Sequence, residues 1–316
     1  MRLASVITPF TDDNLRLVSQ VGVTDVTIRF PGEELDDFFA VKDRVAAFGL
    51  RASVIEGYLP IENIKLGNEK RDDEIEAMKR LVRNMGEADI RVLCYNFMAG
   101  TDWVRTQLDA KERGGALVTR FDIDQADKAV SLRDSAETLQ VETIAAERLW
   151  DNLEHFLGEL VPVAEEAGVR LAMHPDDPPL ESFLGRDRIM NSVENFERLT
   201  ALVESPSNAI CFCQGTFAEM GVDIPAAIRR LGEHIAYVHF RDIRGTREHF
   251  AETFHDNGPT DMAEAIRAYR DIGFDGPIRP DHVPQLVGDE DGLPGYTMQG
   301  RLFAYGYIRG LMHATE

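Results

Sequence analysis

Four residues whose side chains commonly bind metal ions occur at or near the ends of four short apolar runs. His174 ends "RLAMH", Cys213 ends "AICFC", His239 is the fourth residue of "AYVHF", and Asp281 ends "PIRPD". A thiolate, two imidazoles and a carboxylate form a mixed soft and hard donor set that Zn²⁺, Mn²⁺, Fe²⁺ or Co²⁺ can occupy. If the four runs are neighbouring strands, they predict one divalent-metal site.

Each of these residues also has a purely structural interpretation. A single histidine at a strand end is commonly a hydrogen-bonded structural residue, and a buried free cysteine commonly packs as a small hydrophobe. Four ligand types at four equivalent positions favour the metal site. Cys211 lies two residues before Cys213 and cannot reach the same height on the strand, and Cys94 in "RVLCYNF" is interpreted as a core residue.

Further residues near these positions are candidates for proton transfer. His282 directly follows Asp281, and Tyr296 lies in "GLPGYTM", a stretch rich in glycine and proline beyond the last apolar run. A loop tyrosine is usually a surface packing residue, but this loop is predicted to hang over the mouth of the site. His282 and Tyr296 are therefore candidates for moving protons, as are Arg241 and Asp242 of "HFRD".

Three residues are predicted to bind a substrate. Arg241 lies two residues after His239, on the same face of the strand, where its guanidinium could clamp a carboxylate. Asn96 ends another apolar run, and Gln214 directly follows Cys213.

The aspartates of "HPDDPP" have two open interpretations. Asp and Pro are common in turns, so Asp176 and Asp177 are predicted to shape the loop that follows His174. The alternative is that they contact the substrate, since loops after strands often carry functional residues.

Short apolar runs alternate with longer segments of helical period along the whole sequence, and glycines recur where a helix ends before the next run, as in "EAGV" and "DIGF". Near-continuous apolar runs are typical of strands buried on both faces of a parallel sheet. No G-x-G-x-x-G sequence of the dinucleotide-binding type follows any run, so eight βα units in 316 residues predict an α/β fold, a (β/α)₈ TIM barrel, as a single domain over residues 1–316. The predicted strands are Leu3–Thr8, Asp25–Arg29, Ala52–Glu56, Arg91–Asn96, Arg170–His174, Ala209–Cys213, Ala236–Phe240 and Pro277–Asp281.

Residues 97–142, with "KERGGA" near the middle, are too long for a simple connection between the fourth strand and its helix. An excursion of this size commonly serves as a lid or an oligomer contact. We therefore predict a loop or helical excursion that covers the barrel mouth or lies at an oligomer contact.

The composition limits the classes of partner. A formal net charge of −21 disfavours nucleic acid and anionic membrane surfaces, and no run approaches the length of about 20 apolar residues that a membrane span needs. The first residues lack the pattern of a secretory signal, and three cysteines do not form an even disulfide framework. A cytoplasmic protein that acts on a small molecule is expected.

Several longer motifs cover most of the chain: "RVLCYNFM" (91–98), "DWVRT" (102–106), "RGGA" (113–116), "HPDDPP" (174–179), "CFCQGTFAEMG" (211–221), "VHFRDI" (238–243), "DIGFDGPIRPDH" (271–282) and "PGY" (294–296). These motifs resemble the D-mannonate dehydratases, which are metal-dependent TIM barrels of the xylose-isomerase-like superfamily. The resemblance implies a hydro-lyase that converts D-mannonate to 2-keto-3-deoxy-D-gluconate in hexuronate breakdown. It implies Mn²⁺ as the usual ion, with Mg²⁺, Fe²⁺, Co²⁺ and Zn²⁺ as alternatives.

When the family's site residues are carried over by position, the resemblance implies the same four metal ligands that the strand ends indicate. It also implies an acid/base pair. The implied ligands are His174, Cys213, His239 and Asp281, and the implied pair is His282 and Tyr296. Together with the long 97–142 excursion, the resemblance also implies a homodimer.

The sequence departs from the family pattern at three places. The family commonly has histidine where this chain has Ile61, and Thr-Gly-Ser where it has Gln214-Gly215-Thr216, and its first strand is commonly richer in aromatic residues than "ASVITPFT". These departures predict that the sugar acid can differ from D-mannonate. Two alternative functions stay open: a sugar isomerase or epimerase of the same superfamily, and a homologue that binds metal or sugar acid without turnover.

Overall fold

The structure is a computed structural model that describes residues 1–57, 59–101, 103–131, 143–289 and 291–315. Eight parallel strands close into a barrel and follow chain order around it, the first pairing with both the second and the eighth. They are Arg2–Val6, Asp25–Ile28, Arg51–Glu56, Val92–Tyr95, Arg170–Met173, Asn208–Cys213, Ile235–Phe240 and Pro277–Pro280. The predicted TIM barrel is confirmed, and the predicted strand ends differ from these by at most two residues.

Helices connect the strands and cover the barrel. They are α1 (Asp12–Gln20), α2 (Leu35–Ala46), α3 (Glu62–Leu66), α4 (Arg71–Glu87), α5 (Ala146–Ala167), α6 (Val193–Leu202), α7 (Gln214–Glu219), α8 (Ile224–Leu231), α9 (Met262–Asp271) and α10 (Met298–Ala314). Their ends follow the sequence signals: the side chain of Asp261 accepts a hydrogen bond from the backbone of Glu264 at the start of α9, and Gly168 ends α5 at φ 65°. A left-handed φ favours glycine, which explains the "EAGV" stop.

The barrel interior is filled by small side chains and one large one. Val54, Val92, Cys94, Ala172, Ala209, Cys211, Ala236 and Tyr237 form this buried cluster. Cys94 is 2% exposed, so its interpretation as a core residue agrees with the structure. These residues fill the barrel interior, so the polar residues at the carboxyl ends of the strands lie above them and face the barrel mouth.

Two long loops combine into a sheet of their own. The strands Gln107–Lys111 and Leu117–Asp122, from the excursion after the fourth barrel strand, pair antiparallel, and Leu117–Asp122 pairs with His249–Glu252 from the loop after the seventh. Ile243–Thr246 completes this four-stranded loop sheet, and the short strands Val104–Arg105 and Val130–Ser131 pair beside it. The part of the predicted 97–142 excursion that covers 132–142 lies outside the described residues.

An aromatic cluster holds the loop sheet together. Phe121 stacks on Phe250 with ring centroids 5.8 Å apart and meets Phe183 edge-on, and Phe121 and Phe250 are direct partners across the strand pair. Such cross-strand aromatic pairs stabilise a specific register. In the described part of the chain, no helix has the length and apolar character needed to cross a membrane.

Candidate metal and acid/base site

The four predicted metal ligands converge at the carboxyl ends of strands five to eight. The ligand atoms of His174, Cys213 and His239 lie within 4.8 Å of one another. Asp281 Oδ2 lies 3.8 Å from Cys213 Sγ and 3.7 Å from His239 Nδ1. All four residues are buried. Cys213 and His239 are register partners in adjacent strands, whereas His239 pairs with Arg279, two residues before Asp281, so the predicted equal height holds for only one of the adjacent pairs.

The outer nitrogens of both histidines are held by hydrogen-bond acceptors. His174 Nδ1 lies 2.6 Å from the carbonyl oxygen of Pro175, so this nitrogen carries the proton. His239 Nε2 lies 3.2 Å from Glu56 Oε2 and donates to it. The inner nitrogens, His174 Nε2 and His239 Nδ1, then face each other at 3.2 Å. Acceptors behind metal-binding histidines orient the ring in this way.

The charges at the centre fit a cation. Burial alone would raise the pKa of the Cys213 thiol, but Arg241 and His174 outweigh it and hold the pKa well below its usual value. Burial opposes ionisation of Asp281 as well, yet His282 and Arg279 keep the pKa of that carboxyl well below its usual value. A thiolate, a carboxylate and two facing ring nitrogens require a shared proton or a metal ion between them, and their donor types suit a divalent metal.

Glu56 and Arg279 support this centre from behind. Glu56 ends the third strand, and besides His239 its carboxylate accepts hydrogen bonds from Tyr237 Oη at 2.9 Å and Arg279 Nη2 at 2.7 Å. Arg279 also donates to Asp281 Oδ1 at 2.8 Å. One ion-paired chain therefore fixes both the His239 ring and the Asp281 carboxylate.

The predicted acid/base residues face each other beside the ligands. The rings of His282 and Tyr296 meet edge-on with centroids 5.4 Å apart. A backbone hydrogen bond from Val283 to Gly295, 2.9 Å long, brings the tyrosine loop back over the eighth strand. Burial, the largest effect, and the nearby charge of Asp281 raise the pKa of the Tyr296 hydroxyl above its usual value, so this group holds its proton.

Arg241 was predicted to bind a substrate carboxylate, but in the structure it contacts carboxylates of the protein. Its fully buried guanidinium donates to Asp281 Oδ2 at 2.8 Å, Glu252 Oε2 at 2.9 Å and Asp177 Oδ2 at 2.9 Å. These contacts join carboxylates of the protein, so Arg241 orients Asp281, one of the predicted metal ligands. Direct contact with a substrate carboxylate stays a prediction.

The two aspartates of "HPDDPP" have different surroundings. Asp176 Oδ2 accepts from the backbone of Met190 at 2.8 Å, which fits the predicted loop-shaping role. Asp177 is fully buried and paired with two guanidiniums, Arg105 at 2.6 Å and Arg241 at 2.9 Å. The interpretation of Asp177 as a turn residue is incomplete, because its charge is part of the ion-pair network beneath the mouth.

The other two predicted substrate-binding residues, Asn96 and Gln214, contact different parts of the structure. Asn96 lines a cavity whose wall also contains His174, Trp103 and Lys65, and its Oδ1 accepts from Lys65 Nζ at 3.1 Å. Gln214 donates instead to Met262 Sδ at 2.8 Å, towards helix α9 and away from the four ligands. The structure thus brings Asn96 to the site, whereas the Gln214 side chain makes its contact outside it.

Sequence reasoning missed several residues of this site. Glu56 could have been found, because it ends a predicted strand and the rule used for strands five to eight applies to it. Trp103, whose ring lies 5.6 Å from that of His174, and Arg105 lie in the long excursion, where the sequence shows no strand period to place them. Glu252 likewise lies in a loop, in a hairpin where it pairs with Ile243, and this hairpin in turn pairs with the excursion strand Leu117–Asp122.

Comparisons with known proteins find similar sequences in one family. The chain matches the family model for D-mannonate dehydratase over residues 14–316. A mannonate dehydratase of Oceanobacillus iheyensis is 37% identical over 301 residues, which cover 89% of this chain and 86% of the relative. One from Thermotoga maritima is 37% identical over 311 residues, with the same coverage of both chains.

Solved structures give the same result at the level of the fold. The crystal structure of mannonate dehydratase from Streptococcus suis serotype 2 aligns with a TM-score of 0.88 at 31% identity, covering 100% of this chain and 93% of that chain. A D-tagatose 3-epimerase-like protein aligns with a TM-score of 0.67 at 14% identity, covering 100% of this chain and 98% of that chain, and this likeness shows the barrel fold alone.

Proposed function

Because the chain belongs to the D-mannonate dehydratase family, we propose that it is a hydro-lyase that removes water from D-mannonate to give 2-keto-3-deoxy-D-gluconate. The observation that carries the proposal is the meeting of two groups of residues at one barrel mouth. His174, Cys213 and His239 gather ligand atoms, and the His282–Tyr296 pair lies beside them. Dehydration of a sugar acid needs both functions.

We propose that His174, Cys213, His239 and Asp281 hold a divalent metal, with Mn²⁺ the expected ion and Mg²⁺, Fe²⁺, Co²⁺ or Zn²⁺ as alternatives. When bound, such an ion stabilises the negative charge that develops on a substrate carboxylate as the neighbouring carbon loses its proton. The mixed donor set supports this proposal, as do the hydrogen-bond acceptors that hold the outer histidine nitrogens.

His282 and Tyr296 are proposed to divide the two proton transfers. His282 Nδ1 lies 2.8 Å from the Glu252 carboxylate, an arrangement that leaves Nε2 to take the proton from C2 of the substrate. Tyr296 keeps its proton and donates it to the C3 hydroxyl, which then leaves as water. The edge-on contact of the two rings supports action on adjacent carbons of one substrate.

The cavity beside His174 is proposed to receive the sugar acid. Asn96, Lys65 and Trp103 line it together with Ile61, which stands where the family commonly has histidine. An amide, an ammonium group and an aromatic face suit the hydroxyls and carboxylate of a sugar acid. Since Ile61 offers no hydrogen bond, substrate preference is the property expected to depart from that of the family.

We further propose that the chain is one domain in which the 97–142 excursion covers the barrel mouth, and that two copies form a dimer in the cytoplasm. Arg105, from the described part of this excursion, contacts Asp177 and Glu252 beside the site and supports the first point. Size-exclusion chromatography with light scattering measures the oligomer, and a monomer at micromolar concentration would contradict the second.

The function is tested by incubating purified protein with Mn²⁺ and a panel of aldonic acids and measuring 2-keto-3-deoxy acid products. Product from D-mannonate, or from a close stereoisomer, supports the proposal. Interconversion of sugars without loss of water would favour the isomerase or epimerase alternative. Stoichiometric metal with no product from any acid would favour a binding protein without turnover.

A further inference from the structure

One carboxylate outside the predicted site touches its acid/base histidine. Glu252 ends the strand His249–Glu252 of the loop sheet, is 2% exposed, and places Oε1 2.8 Å from His282 Nδ1. We propose that Glu252 is a positioning residue that holds His282 in the tautomer with the proton on Nδ1, so that Nε2 faces the substrate. The proposal rests on the function proposed above and adds a residue from a distant loop to its mechanism.

The hydrogen-bond geometry determines which atom carries the proton. Arg105 Nη2 also lies near His282 Nδ1, at 3.3 Å, and a guanidinium can only donate. The contact with Glu252 is shorter, and an unprotonated Nδ1 would place its lone pair against a carboxylate at 2.8 Å. An Nδ1–H that donates to Glu252 avoids this repulsion and leaves the Nε2 lone pair for the substrate.

Glu252 is itself held rigidly as an anion. Its Oε1 accepts from Arg105 Nη2 at 2.7 Å, and its Oε2 accepts from Arg241 Nη1 at 2.9 Å. Although burial would raise its pKa, Arg241 and His282 keep the pKa of Glu252 below its usual value. A fixed anion behind a catalytic imidazole sets its orientation and tautomer, as the third member of a catalytic triad does.

Two substitutions separate the positioning role from simple ion pairing. Glu252→Gln keeps an acceptor for His282, because three donors converge on Oε1 and the amide oxygen is favoured there, but its amide nitrogen then faces the Arg241 Nη1 donor, so only partial recovery is expected. Glu252→Ala removes the acceptor from His282 altogether. Glu248→Ala is the matched control, because Glu248 belongs to the same loop and its side chain is exposed.

The kinetic test uses the metal-loaded enzyme and its best aldonic acid. Glu252→Ala is expected to lower kcat about 100-fold with KM changed less than about threefold, and Glu252→Gln is expected to recover at least about tenfold of the loss. Glu248→Ala should match the unmodified enzyme. Unchanged kcat in Glu252→Ala, or a Gln variant as slow as the Ala variant, would overturn the positioning role.

A second measurement does not depend on turnover. In Mg²⁺-loaded protein labelled with ¹⁵N-histidine, long-range couplings to the ring protons distinguish the two tautomers, and His282→Gln identifies the resonances. We expect Nδ1–H in the unmodified protein and in Glu252→Gln, and an Nε2–H or averaged signal in Glu252→Ala. An Nε2–H signal in the unmodified protein would refute the inference even if the enzyme dehydrates D-mannonate. Conversely, an Nδ1–H signal without any dehydratase activity would refute only the proposed function.

Discussion

The proposed metal-ligand half and the proposed acid/base half of this site are built from different parts of the fold. The four ligands stand at the ends of barrel strands five to eight, where adjacent strand pairing fixes their positions. His282 is also at a strand end, but Glu252 behind it comes from the loop sheet, and Arg105 comes from the short strand pair beside that sheet. The metal half thus depends on the barrel, and the acid/base half depends also on loop pairing.

The comparison suggests how each half can vary independently. Barrel strands are held on both sides by neighbours, so their ends are positioned by the most buried part of the molecule. Loop strands are held by a smaller apolar cluster around Phe121 and Phe250 that is separate from the main core. Substitutions in the two halves should therefore separate metal binding from proton transfer.

The largest effect is expected from the metal half. His174→Ala removes a ligand atom and should lower kcat/KM by about 1,000-fold or more, because loss of a bound ion forfeits several kcal/mol of charge stabilisation. Bound metal, measured by elemental analysis after gel filtration, should fall in parallel. His155→Ala, on the outer face of α5, is the control. Full metal content in His174→Ala would remove His174 from the ligand set.

The next effect is expected from the acid/base half. Tyr296→Phe keeps the ring contact with His282 but removes the proton donor, so kcat should fall about 100-fold or more while metal content stays unchanged. Tyr307→Phe, on α10, is the matched control. A Tyr296→Phe enzyme with normal kcat would show that water leaves with a proton from another group.

A smaller effect is expected where the barrel supports the metal half from behind. Glu56→Gln weakens the acceptor for His239 Nε2 and the ion pair to Arg279, and such a change typically costs about 10-fold to 100-fold in metal affinity. Competition with a metal-binding dye measures the affinity, and Glu87→Gln, exposed at the end of α4, is the control. Equal affinity in both variants would contradict the supporting role of Glu56.

The same division explains what the sequence could predict. Strand ends have a residue-level signal, an apolar run that ends on a ligand type, and the structure gathers the four residues chosen by this signal, His174, Cys213, His239 and Asp281, at one place. The carboxylate partners of Arg241 could not be predicted, because a sequence shows where a strand ends and not which carboxylates surround it. Glu252 pairs with Ile243 in a local hairpin, but its contact with His282 depends on how that hairpin folds back over the barrel mouth, which a local sequence pattern does not show.

The smallest effect is expected at the cavity wall, where the chain departs from its family. Ile61→His places a hydrogen-bonding ring beside Asn96 and His174, and one net hydrogen bond of about 1 kcal/mol corresponds to a change of about fivefold. We expect the ratio of kcat/KM between D-mannonate and its stereoisomers to rise by about this factor, with metal content unchanged. Ile61→Leu, which keeps the wall apolar, should leave the ratio as it is. If Ile61→His lowered metal content instead, the cavity wall and the metal half would be coupled. Substrate recognition by the early strands could then not be separated from metal binding by the late strands.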